Sequence, residues 1–314
     1  MRTIPCAPIN REVSVIGFGC ASLGSRVSPA DGAAALALAY ENGVTWYDVA
    51  PPYGDGQAEA QLGEFLRGKR QTVAICTKVG IGRPEVSGPQ RLVRAVARPI
   101  IKALPQLRAH VAGLRGGSGR SPIRAAMIEP SVTRSLRDLK TDYIDVLALH
   151  EPTVEEVRDP DILAALKALV DKGHVRALAV AGAPDAIQAA NTSGFFDVAQ
   201  TPDSVFTLGL DAVPPRSELF AISHGVFGSN ALEQFTALLK ADLNLQQKVE
   251  ALSPGATPAD VLLTYALGRN PTGVTLASMF RPDHIRTNCA RASAAPDPQF
   301  VADLRRLIVG TPVL

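Results

Sequence analysis

The segment YDVAPPYGDGQAE, Tyr47 to Glu59, sets an aspartate at the end of an apolar run and a tyrosine five residues on, in a turn rich in proline and glycine. Two later apolar runs also end on polar groups, VAICTK on Lys78 and YIDVLALH on His150. An aspartate, a tyrosine, a lysine and a histidine gathered in one place suit proton transfer at a carbonyl or hydroxyl oxygen. When hydride adds to a carbonyl carbon, charge builds on oxygen, so the site needs a proton donor and a group that stabilises that oxygen. Tyrosine is a weak donor near neutrality, with a reference pKa of about 10. A lysine ammonium beside it favours the tyrosinate and lowers that value, and an aspartate paired with the lysine keeps it charged and in place. On this logic Tyr53 is the acid, Lys78 its tuner, Asp48 the tuner's anchor, and His150 a hydrogen-bonding group for the reacting oxygen, where its tautomer matters. Each residue also has a plainer reading: Asp48 as a loop cap, Tyr53 packed on Pro51 and Pro52, Lys78 as surface charge, His150 as a satisfied strand-end histidine. The order and strand-end positions of the four together favour the chemical reading.

Groups so far apart in sequence meet only if their strands end at the same side of one sheet. Short β-branched or apolar runs alternate with longer amphipathic stretches, which is the pattern of βα units on a parallel sheet. Strands are predicted in segments 16–20, 44–50, 73–78, 143–150, 175–182, 196–200, 225–230 and 273–278. Eight such units predict an α/β fold of the (β/α)8 TIM-barrel type, in which chemistry sits at the C-terminal strand ends. A doubly wound sheet is the alternative. Ser28 with Pro29 opens the helix that Gly43 closes, and Gly68 and Gly173 close two others. With no repeat and no Pro/Ser-rich linker, residues 1–314 read as one domain. Within it, residues 80–127 read as an inserted basic helix and loop region: Arg83, Arg91, Arg94, Arg98, Lys102, Arg108, Arg115, Arg120 and Arg124 face one acid, Glu85. Its arginines are either solvated or form a lid over the strand ends that gathers an anion.

Composition narrows the partners. A net charge of +2 argues for neither nucleic acid nor a membrane surface, and small molecules remain. Cys6, Cys20, Cys76 and Cys289 form no CxxC pair, so no zinc site or disulfide framework is expected. The opening MRTIPCAPIN lacks the apolar core of a signal peptide, and no apolar run reaches the roughly 18 residues of a membrane helix. A cytoplasmic protein is expected, and no feature of the sequence marks an oligomeric state. GFGCAS at Gly17 to Ser22 lacks the third glycine of a Rossmann fingerprint, and GxxxxGK[ST], HExxH and GxSxG are absent.

The strand-ending Asp48, the pair Tyr53-Gly54 and Glu59 before a helix, followed by Lys78 in CTKVG and His150 in DYIDVLALHEP, resemble the aldo-keto reductase pattern. The resemblance runs from IGFGCASLG through SPGATPADVLLTYALGRNPTGVTLASMFRPDHIRTN, and parts of it are similar to the bacterial aldose 1-dehydrogenase branch. It implies an NAD(P)(H)-dependent oxidoreductase acting on a small aldehyde, ketone or sugar, with Asp48, Tyr53, Lys78 and His150 as the catalytic set. It also implies that Ser278, Met279, Phe280, Arg281, His284 and Asn288 surround the adenosine half of the cofactor, with Asn288 reaching the adenine, and that Gln200 contacts the nicotinamide. Ala181 and Gly182 stand where many members carry Ser-Asn, and Ile222 is assigned to the position of the family's stacking tyrosine. His284 stands where NADP-specific members often carry arginine, and Arg281 is the compensating candidate for the phosphate. NADP(H) is therefore the expected cofactor and NAD(H) the alternative. A dinucleotide-binding regulatory or accessory protein with little turnover is the competing class. The intact four-residue set argues against it, because a pure binder has no use for a tuned tyrosine.

Overall fold

A computed structural model describes residues 1–84, 121–214, 218–228, 230–295 and 297–309. Ahead of the barrel, strands β1 (Thr3–Cys6) and β2 (Arg11–Ser14) pair antiparallel, with Ile4 opposite Val13. Eight parallel strands then close on themselves in chain order: β3 (Ile16–Gly19), β4 (Trp46–Asp48), β5 (Ala74–Val79), β6 (Ile144–His150), β7 (Val175–Ala181), β8 (Val198–Pro202), β9 (Phe220–His224) and β10 (Val274–Ala277). This is the expected (β/α)8 barrel, and the doubly wound alternative is set aside by the closure of β10 on β3.

Alternation along the strands explains why the barrel has two apolar layers. In β6, Val146 and Ala148 face the interior cluster, while Leu147 and Leu149 face the helices outside. The interior is filled unevenly. Trp46 and Phe220 stack low in the barrel, 6.1 Å between ring centroids, whereas Ala74, Ala148, Ala177, Ala179 and Ala181 line β5 to β7. Buried Ile4, Cys6, Ile9 and Val13 of the hairpin region join the same cluster and plug the N-terminal mouth.

Local signals set the helix starts. Ser28 accepts from the Asp31 N–H at the start of α1 (Pro29–Glu41), and Gly43 follows at φ +87°. α2 (Ala58–Phe65) and α3 (Ala125–Leu139) flank β5, and α4 (Val154–Arg158) opens with a capping box of Thr153 and Glu156. The outer ring continues through α5 (Pro160–Asp171), α6 (Pro184–Ser193), α7 (Ala231–Ala241), α8 (Leu243–Leu252), α9 (Pro258–Arg269), α10 (Pro282–Arg291) and α11 (Pro298–Val309).

One expectation needs correction. The seventh barrel strand is FAISH, 220–224, and not GVFGSN, 225–230. Gly225 lies at φ +82° and its carbonyl accepts from the Gly228 N–H at 2.8 Å, so the chain turns there instead of extending. The basic region expected over 80–127 overlaps α3, which already begins at Ala125 and belongs to the barrel's helix ring. Most of its cations, Arg91 through Arg120, lie outside the described residues. No helix among the described residues is long and apolar enough to cross a membrane.

Candidate active site

Asp48 and His150 are the last residues of β4 and β6, and Lys78 is the last but one of β5. Parallel register brings these three ends to the C-terminal face of the barrel, Asp48 beside Cys76 and Lys78 beside Ala148. Tyr53 comes from the turn after β4. Its N–H donates to the Ala50 carbonyl at 3.0 Å, and Gly54 follows at φ +62°, where a Cβ would lie 1.8 Å from the Leu23 carbonyl oxygen. Only glycine fits that approach, so the Tyr-Gly pair is a backbone requirement as well as a motif.

All four side chains line one cavity of about 390 Å³. The Lys78 ammonium donates to Asp48 Oδ1 at 2.6 Å and to the Val49 carbonyl at 3.2 Å, and lies 5.0 Å from the centre of the Tyr53 ring. Lys78 and Asp48 are almost wholly buried. Burial disfavours the ammonium, but the Asp48 carboxylate and neighbouring groups outweigh it and hold the Lys78 pKa above its ordinary value. For Tyr53 the balance differs from the expectation. Burial raises the phenol's pKa, the lysine pulls it back, and the net direction is upward, so the site keeps Tyr53 protonated. His150 meets the Tyr53 ring edge to face at 6.0 Å. Burial and the nearby Lys78 charge push its pKa down to about 3, which keeps the imidazole neutral near pH 7. His150 Nδ1 and Asp48 Oδ2 are buried without a hydrogen-bond partner among the described residues.

The cavity also receives residues that sequence reasoning missed. His224, at the end of β9, lines it, and burial pushes its pKa down. Ile222, two residues earlier, is fully buried in the barrel interior beside Gln200 and Val274 and does not line the cavity. The residue of β9 that faces the cavity is thus His224, and Ile222, expected there, does not reach it. The misplaced strand concealed this, since a polar residue ending FAISH carries the same signal as His150. Arg26 and Glu151 stand at the rim.

Of the expected cofactor residues, Gln200 and Ser278 line the cavity, and Ala181 lies between His150 and Gln200 in the strand register. Cys76 Sγ approaches Gln200 Oε1 at 3.8 Å, and the Ser278 hydroxyl donates to the Gly19 carbonyl at 3.2 Å. Met279, Phe280, Arg281, His284 and Asn288 continue from β10 into α10, outside the cavity. Met279 is buried, Phe280 meets Phe18 edge to face at 5.1 Å, and the Asn288 amide points at Met279 Sδ, 3.8 Å away. Arg281 and His284 are exposed at the start of α10, whose first N–H groups have no side-chain cap. Among the described residues no cluster of metal-ligating side chains occurs, and all four cysteines are free and buried.

Comparison with known proteins agrees with this geometry. The model of the aldo/keto reductase family matches residues 15–201. An uncharacterized oxidoreductase of Bacillus subtilis is 28% identical over 165 residues, covering 52% of this chain and 44% of that protein. A 6-dehydroglucose reductase of Agrobacterium fabrum is 33% identical over 179 residues, covering 54% of this chain and 50% of that one. The matches thus take in about half the length of these relatives. An aldo-keto reductase of Klebsiella pneumoniae solved in complex with NADPH shares the fold at a TM-score of 0.71 and 20% identity, over 98% of this chain and 95% of that one. With a barrel that brings the strand-end aspartate, lysine and histidine to a loop tyrosine, and a family match over more than half its residues, the chain belongs to the aldo/keto reductase family.

Proposed function

We propose that the chain is an NADP(H)-dependent oxidoreductase that reduces the carbonyl of a small aldehyde, ketone or sugar, or runs the reverse oxidation, with Tyr53 as general acid or base. The observation that carries this reading is the buried Lys78 held between Asp48 and Tyr53 at the edge of the shared cavity. A nicotinamide held in the cavity would supply or accept the hydride. The remaining work falls to this chain's residues. Tyr53 donates its proton to the developing oxyanion, and the adjacent Lys78 charge stabilises the phenolate left behind. Neutral His150 orients the same oxygen by a hydrogen bond without adding a competing cation.

The cofactor's fit rests on the open groups of the site. Gln200, Ser278 and His224 face the cavity, and His224 offers a flat ring for the nicotinamide in place of a tyrosine. Ser278, Met279, Phe280, Arg281, His284 and Asn288 would hold the adenosine half, where the α10 N-terminus presents N–H groups to phosphate and Arg281 a bidentate fork. NADP(H) is favoured over NAD(H) on that cation and on the NADPH complex of the Klebsiella pneumoniae structure. The polar rim of Arg26 and Glu151, with the sugar-derived substrate in the name of the Agrobacterium fabrum relative, favours a hydroxylated substrate. The reducing, cytoplasmic setting belongs to the same proposal, supported by the four free thiols.

A binding-protein reading draws on one observation, the missing side-chain amide partners at Ala181 and Gly182. Tyr53→Phe separates the two. An enzyme should lose roughly 100-fold or more in kcat while NADPH still binds by fluorescence titration. Undiminished turnover would sink the assignment of Tyr53.

A further inference from the structure

Tyr53 and Lys78 stand on different elements, and their spacing depends on how the turn after β4 is fastened to β5. That fastening lies behind the cavity. Thr77 immediately precedes Lys78, so its side chain faces the other side of the sheet, where its hydroxyl donates to Glu59 Oε1 at 2.8 Å. Glu59 is in the first turn of α2, six residues past Tyr53, and both Glu59 and Thr77 are buried. The other carboxylate oxygen accepts from Arg83, which lies five residues past Lys78. The same Arg83 Nη2 is 3.3 Å from Ser135 Oγ and 3.4 Å from Asp138 Oδ2, both on α3. One guanidinium therefore joins the helix that follows Tyr53 to the helix that follows the basic stretch, with the Lys78 strand between them.

A buried carboxylate needs a matching charge, and Arg83 supplies it with a side chain only 10% exposed. Burial pushes the Glu59 carboxyl's pKa up, and the Arg83 charge is the strongest influence opposing it. Neither residue lines the cavity. Their effect on the reaction must pass through geometry, to which proton transfer is sensitive: a displacement of about 1 Å at the reacting groups costs roughly 100-fold in rate.

We propose that the Glu59–Arg83 ion pair is a positioning device for the proton donor, with Arg83 as the residue that locks the Tyr53 turn against the Lys78 strand. The proposal rests on the reading of Tyr53 as the acid. It differs from a purely structural role in its signature: kcat changes while substrate and cofactor affinity do not.

The test uses the full chain and its Arg83→Met, Arg83→Lys and Tyr53→Phe variants. Each is measured for kcat and KM with a small hydroxyaldehyde and for NADPH affinity by fluorescence titration. Arg83→Met should lower kcat about tenfold or more, with KM and NADPH affinity within about twofold, and Arg83→Lys should recover most of the loss. An unchanged kcat in Arg83→Met overturns the proposal. So does a joint loss of kcat, KM and NADPH affinity that lysine does not repair. If Arg83→Met does not fold, Glu59→Gln decides, since it removes the charge that Arg83 pairs with and keeps an oxygen to accept from the Thr77 hydroxyl. A kcat loss of several-fold at constant KM supports the device, and full activity refutes it. If Tyr53→Phe keeps its turnover, the underlying assignment fails and takes the proposal with it. If Tyr53→Phe is inactive and Arg83→Met is fully active, the positioning role alone fails.

Discussion

The ammonium of Lys78 is held by one carboxylate oxygen and one backbone carbonyl, and Tyr53 lies on its open side. This arrangement keeps the lysine charged and the phenol protonated while His150 stays neutral, three protonation states that suit an acid waiting for an oxyanion. The neutral histidine has a consequence for stability. Folded, His150 resists protonation down to about pH 3, whereas unfolded it takes up a proton near its ordinary value of 6.5. Below that value the unfolded chain binds more protons, so stability is fully present above it and falls as pH drops toward 3. The loss is at most about 1.4 kcal/mol per pH unit. Urea unfolding between about pH 5 and 7 should show a shallower acid slope for His150→Gln than for the parent, with His224 contributing in the same direction to both. Equal slopes would mean that the folded imidazole is not held neutral. At this scale the four side chains that meet in the cavity were legible because each has a distinctive type and three end apolar runs. His224 escaped because its strand was set too late, and the pairing of Arg83 with Glu59 escaped because a cation's partner is chosen in space.

Elements set how closely these groups are braced. α2 and α3 touch at Gly63, where a Cβ would lie 2.3 Å from the Asp138 carbonyl oxygen and 2.8 Å from the Leu139 carbonyl carbon. That contact puts Ser135 and Asp138 within reach of Arg83. Gly63→Ala must push the two helices apart and should cost about 1–3 kcal/mol, read as a lower midpoint in chemical unfolding. A variant as stable as the parent would show that the helices can separate freely. Seven of the eight barrel strands were legible from apolar runs closed by turn signals. The seventh was not, because GVFGSN and FAISH are comparably apolar and only the left-handed Gly225 tells where extension stops. The β1–β2 hairpin was missed for a related reason: four-residue strands TIPC and REVS carry too little alternation to stand out, and their pairing is rewarded by the barrel mouth they plug.

For the molecule as a whole, Trp46 offers a direct probe. It is the only tryptophan, it is fully buried, and it stacks on Phe220 across the barrel interior. In denaturant its emission should move to the red in one transition that coincides with loss of far-UV circular dichroism, as one cooperative barrel requires. Two separated transitions would instead divide the chain into independently stable parts. The sequence by itself determined the class of fold, the strand-end positions of Asp48, Lys78 and His150, and the chemistry their types permit, because apolar period, turn residues and side-chain identity are local properties. Tertiary structure alone decided the remainder. Barrel closure placed His224 in the cavity and Ile222 beneath it, burial kept Tyr53 protonated against the pull of Lys78, and the approach of α2 to α3 turned Arg83 from an apparent surface cation into a buried partner of Glu59. Charge state and contact depend on dielectric surroundings and on neighbours distant in sequence, and both come into existence only when the chain closes on itself.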